Sequence, residues 1–65
     1  MTEKQIEIIK EFAHQGMNVS KTARSLRYHR NSIMYHLDKI LDDTDLDPRN
    51  FYDLVKLLRM AGEDV

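Results

Sequence analysis

The chain has 65 residues, no cysteine and a formal net charge of −1. A chain this short supports one domain that buries roughly 60% of its unfolded surface, and without cysteine it has neither a disulfide framework nor a thiolate metal site. No apolar run approaches the ~20 residues that cross a bilayer, and the polar start MTEKQ is not a secretory signal, so a cytoplasmic location and no membrane role are expected.

The first helix is predicted from about Glu3 to Gln15, with Ile6, Ile9, Phe12 and Ala13 recurring at helical spacing on its inner face. Thr2 is its expected N-cap, Gln5 completes a capping box, and Gly16 is the stop. Asn18 caps a second helix over about Val19–Leu26, whose inner face is Val19, Ala23 and Leu26. A link without glycine or proline, Arg27-Tyr28-His29, leads into a third helix from Arg30 to Leu41 or Asp42. Ile33, Leu37, Ile40 and Leu41 form its buried stripe. Thr44 to Pro48 reads as a loop. Asp47 as cap and Pro48 at the first helical position predict a fourth helix to about Met60, with Phe51, Leu54, Val55 and Leu58 inward and Gly62 past its end. Tyr52, Leu57 and Met60, with Ile8 on the first helix, are apolar surplus that either widens the core or forms a seam for a second copy or an upstream domain. The pattern is all-α: a small domain of about four helices, filling residues 1–65, with a homeodomain-like helix-turn-helix at 18–41.

Charge is unevenly distributed. Residues 20–39 hold five cations, Lys21, Arg24, Arg27, Arg30 and Lys39, against the single carboxylate Asp38, a net of +4. Residues 40–65 hold three cations against seven carboxylates, a net of −4. A local basic patch is the electrostatic footprint of a nucleic-acid surface, and the whole-chain charge averages it away.

With the third helix seated on its aliphatic stripe, the outer face presents Asn31, Tyr35, Asp38 and Lys39, flanked by Ser32, His36 and Met34. Residues near the start of a recognition helix reach deepest into the major groove, which selects Arg30, Asn31, Ser32 and Tyr35 as base-contacting. Arginine and asparagine offer bidentate hydrogen bonds to guanine and adenine edges. Ser20, Lys21, Arg24, Arg27 and Lys39 are placed to hold phosphates, which set register and supply salt-dependent affinity.

The run His29-Arg30-Asn31-Ser32-Ile33-x-Tyr35-x-Leu37-x-Lys39-Ile40 resembles the HRNT-L-x-Y-R-L-x-K-I motif of the PucR-type helix-turn-helix domain. Asn18-Val19-Ser20-Lys21-Thr22-Ala23-x-x-Leu26 is similar to that family's N-x-S-x-T-A-x-x-L, and Thr44-x-Leu46-Asp47 resembles its T-G-L-D. The resemblance covers about residues 5–60. It implies the DNA-binding domain of a bacterial transcription regulator that acts on double-stranded operator DNA, usually as a homodimer, and usually below an upstream sensor domain. By position it adds Thr22 to Lys21 on the supporting helix. The chain departs from the family at Met34, His36 and Asp38, where basic residues are usual, and at Asp45, which stands where the family has glycine.

Other chemistry is not expected. His14, His29 and His36 lack the one-turn spacing of a helical zinc site, so no metal is assigned. His29 is expected to order the turn, and His36 to be a half-exposed residue able to touch phosphate below its pKa of roughly 6.5. The carboxylates at 42, 43, 45 and 47 lack the glycine and closing glutamate of a calcium loop. No nucleophile–base pair or cofactor motif is present, so neither an enzyme nor a cofactor is expected. The competing reading is an interaction module that kept the fold, lost DNA binding, and works through Tyr52, Leu57 and Met60.

Overall fold

Thr2 and Gln5 cap each other at the start of α1 (Glu3–His14): the Gln5 backbone nitrogen donates to Thr2 Oγ1 at 3.1 Å, and the Thr2 nitrogen donates to Gln5 Oε1 at 2.9 Å. This closes two backbone donors that a helix start leaves open. The computed structural model describes residues 1–63 and continues with α2 (Val19–Leu26), α3 (Arg30–Thr44) and α4 (Phe51–Met60). Among the described residues there is no strand, in agreement with the all-α reading. Gly16 ends the turn after α1 at φ 67°, a left-handed conformation in which glycine has no Cβ to clash.

The core is one cluster. Ile8, Ile9 and Phe12 of α1 meet Ala23 of α2, Ile33, Leu37 and Ile40 of α3, and Leu54, Leu57 and Leu58 of α4. By backbone proximity α1 lies against all three other helices, whereas α4 lies against α1 alone. The helix-turn-helix pair therefore docks on one side of α1 and α4 on another, leaving the outer face of α3 clear of α4.

Several inner faces differ from expectation. Ile8, read as surplus, is fully buried, while Ile6 is only half-buried. Leu41 is also half-buried. The fourth helix starts later than Asp47-Pro48 predicts. Asp47 to Asn50 forms a turn in which the Asn50 nitrogen donates to the Asp47 carbonyl at 2.9 Å and the Arg49 nitrogen to Asp47 Oδ1 at 3.0 Å. Asn50 then caps α4 by accepting from the Asp53 nitrogen at 3.1 Å. The Asp47 side chain satisfies the turn instead of the helix, and asparagine is an equally good cap three residues on. The later start accompanies a different inner face: Leu57 is 0% exposed, whereas Phe51 is 61% exposed.

The third helix runs past Asp42 to Thr44 and ends on Asp45 at φ 62°, whose nitrogen donates to the Leu41 carbonyl at 2.8 Å. Asp45 thus adopts the left-handed cap that the family glycine would take more easily. Left-handed backbone costs an L-residue roughly 1–2 kcal/mol, partly offset because glycine loses more chain entropy on folding. Asp45→Gly is expected to stabilise by about 0.5–1 kcal/mol, raising the melting temperature by roughly 3–6 °C for a domain of this size. Thermal unfolding followed by circular dichroism checks it. A lower melting temperature for Asp45→Gly than for Asp45→Ala would contradict this account of the cap.

Candidate nucleic-acid interface

Three residues, Arg27 to His29, connect α2 to α3 without a glycine. Arg27 takes the left-handed conformation at φ 59°, which lets the Tyr28 nitrogen donate to the Ala23 carbonyl at 2.9 Å and close the end of α2. The turn is tied to α1 through Tyr28, whose hydroxyl donates to Glu7 Oε1 at 2.7 Å and whose ring lies 4.8 Å from Lys4 Nζ. The Glu7 bond holds the Tyr28 proton, so its pKa lies above the usual phenol value, with burial adding to the shift. His29 caps α3: its Nδ1 accepts from the Asn31 nitrogen at 3.1 Å. Asn18 caps α2 by accepting from the Lys21 nitrogen at 2.8 Å. These local bonds determine where each helix begins, and so which side chains stand in its first turn.

On α3, Arg30 and Asn31 are exposed in that first turn, Ser32 is half-buried, and Tyr35 is 60% exposed one turn on. Asn31, Tyr35 and Asp38 follow one another at helical spacing opposite the buried Ile33, Leu37 and Ile40. The Tyr35 ring meets His36 edge-on, with centroids 5.2 Å apart. Lys39 is exposed, with its Nζ 3.7 Å from Asp43 Oδ1, a loose pair one turn apart that water screens. On α2 and the turn, Ser20, Lys21, Arg24 and Arg27 are all exposed. Lys21, Arg24, Ser25 and Gln15 line a shallow concavity where α2 leaves α1. Glu11 braces that junction, accepting from Gln15 Nε2 and from Ser25 Oγ, each at 2.6 Å. Those two bonds, Gln15 first, hold the Glu11 carboxyl below the ordinary carboxylate range.

Two residues stand differently from the sequence reading. Thr22 is 0% exposed and its hydroxyl donates to the Asn18 carbonyl at 2.7 Å, so its side chain serves the packing of α2 and is unavailable to a phosphate. His36 has a buried Nδ1 with no hydrogen-bond partner. Burial, and secondarily the nearby Lys4, lower its pKa, so the ring is neutral at pH 7 and is not the cation that a phosphate contact needs.

Sequence reasoning also missed a residue. Arg49, assigned only to the acidic final third, reaches across the loop: its Nη2 donates to Asp38 Oδ1 at 2.8 Å while Nη1 sits 3.6 Å from Asp47 Oδ1. The two partners are 11 residues apart and in different elements, so no periodic pattern announces the pair.

A family model of the PucR C-terminal helix-turn-helix domain matches residues 5–61. Among curated proteins, the uncharacterized protein YxkF of Bacillus subtilis (strain 168) is 37% identical over 43 residues, which is 66% of this chain and 14% of that protein. No solved structure matches the chain.

Proposed function

From the premise that the chain belongs to the PucR C-terminal helix-turn-helix family of DNA-binding transcription regulators, we propose that it binds DNA sequence-specifically, with α3 in the major groove. The observation that carries this reading is the clear outer face of α3. Arg30, Asn31 and Tyr35 stand exposed together there, while Lys21, Arg24 and Arg27 stand exposed on the adjoining helix and turn. Arg30 and Asn31 then read base edges, with Ser32 and Tyr35 beside them. Ser20, Lys21, Arg24, Arg27 and Lys39 grip the flanking phosphates.

The cations among those phosphate ligands are four, so the logarithm of affinity should fall against the logarithm of salt with a slope of about −3 to −4 per domain. Fluorescence anisotropy with a labelled duplex, repeated across salt concentrations, measures it. A slope near zero would contradict the phosphate assignments.

The reading extends to a homodimer that places two α3 helices on half-sites about one helical turn apart, roughly 34–36 Å. It also includes a sensor domain upstream, supported by the small share of the longer curated relative that the chain spans. No helix among the described residues is long and apolar enough to cross a membrane, which accords with action on DNA in the cytoplasm. The alternative of a purely protein-binding module is favoured by the exposed Phe51, Tyr52 and Met60 of α4, but Leu57, once counted among its contacts, is core. These side chains face away from the reading helix and are compatible with a partner contact in a DNA-bound regulator.

A further inference from the structure

Asp38 lies on the same exposed stripe of α3 as Asn31 and Tyr35, where a carboxylate would meet the phosphate-lined groove. Left alone, it opposes DNA binding. It is not alone: Arg49 Nη2 donates to its Oδ1 at 2.8 Å, with the Asp38 side chain 67% exposed and that of Arg49 36% exposed. Asp47, 3.6 Å from Nη1 and half-buried at the turn, anchors the other side of the guanidinium. Asp47 is in turn held in place, because its Oδ1 accepts from the Arg49 nitrogen and its own nitrogen donates to Asp53 Oδ2 at 3.1 Å. Arg49 is thus fastened at the end of the reading face by the turn preceding α4.

The geometry points to Arg49 as a positioning residue for DNA recognition. It neutralises Asp38 and turns that carboxylate toward the α3–α4 loop, so that α3 can enter a polyanionic groove. This rests on the reading that α3 is the recognition helix. The guanidinium, occupied by two carboxylates, is not itself a phosphate ligand. Asp38 holds it back from the backbone while Arg49 shields Asp38. The pair sets affinity below the value that the cations of α2 and α3 would otherwise give, leaving a larger share of binding to the base contacts.

The test is a double-mutant cycle on DNA affinity and its salt slope. Arg49→Gln, which keeps most of the side-chain stem, unmasks Asp38. It should weaken binding at low salt on the order of fivefold, the effect of one unit charge about 4 Å from another in water, and leave the salt slope unchanged. Asp38→Ala should strengthen binding by a similar factor and steepen the slope by about 0.9, because the released Arg49 gains a phosphate. The double variant should return to within about twofold of the unmodified protein. Rescue of Arg49→Gln by Asp38→Ala is the signature of shielding. A double variant as weak as Arg49→Gln would make Arg49 a direct phosphate ligand and overturn the inference. Equal binding by all variants would place the pair outside the DNA footprint and overturn it as well. Absence of DNA binding by the unmodified protein at low salt would instead refute the recognition-helix reading beneath it. The pair is solvent-exposed, so melting curves should scarcely move and folding does not confound the cycle.

Discussion

Leu57→Ala should leave the protein largely unfolded at 37 °C. Leu57 is fully buried against the same cluster as Ile9, Phe12 and Leu37. Truncating a buried leucine removes its transfer free energy and leaves a cavity, at a combined cost of about 2–5 kcal/mol. A 65-residue chain without disulfides has little more than that in reserve, since a single core of this size rarely supplies above about 3–5 kcal/mol. Tyr52, 75% exposed on the opposite side of α4, provides the control: Tyr52→Ala should change stability by no more than about 0.5 kcal/mol. Urea titration followed by circular dichroism compares the two. Comparable midpoints for Leu57→Ala and Tyr52→Ala would show that α4 presents the wrong face to α1. The same pair of variants separates core from partner surface, because only Tyr52→Ala can disturb an association while leaving the fold intact.

Arg30→Ala and Asn31→Ala should erase discrimination at particular base pairs, whereas Lys21→Ala should weaken binding to every duplex alike. Arg30 and Asn31 stand in the first turn of α3, whose position is set by the His29 cap and by the Tyr28 anchor to α1. A bidentate contact from such a side chain is worth about 1–3 kcal/mol of discrimination, or roughly 5- to 150-fold against the wrong base. Lys21 on α2 reaches only the backbone of the duplex, so its loss lowers the salt slope by about 0.9 without changing preference. Duplexes selected from a random pool by the unmodified protein, then altered one base pair at a time, give the readout. If Arg30→Ala and Asn31→Ala both kept the full preference of the unmodified protein, the outer face of α3 would not be the reading surface.

Much of this protein was legible because its signals are local. The capping box of Thr2 and Gln5, the Asn18 cap and the two short helices around Arg27–His29 all depend on residues three or four apart. The aliphatic stripe of α3 was legible for the same reason, and with it the exposure of Arg30, Asn31 and Tyr35 on the other side. The start of α4 was misjudged because Asp47-Pro48 satisfies a turn as readily as a helix start, and both produce the same local sequence. Thr22 was misjudged because a threonine between two lysine- and alanine-bearing positions looks polar from the sequence, while its hydroxyl is fully satisfied by a carbonyl one turn back.

The sequence by itself determined the four-helix order, the helix-turn-helix and the concentration of positive charge on it, since backbone capping and 3.6-residue periodicity act within a few residues of each other. Only the tertiary structure decided which of two overlapping apolar stripes of α4 turns inward, because α4 leans on α1 alone and Leu57 must fill the space α1 offers. It also decided that Asp38 meets Arg49, that Thr22 is sealed in and that His36 stays neutral. Each of these depends on distances between elements, and packing sets those distances.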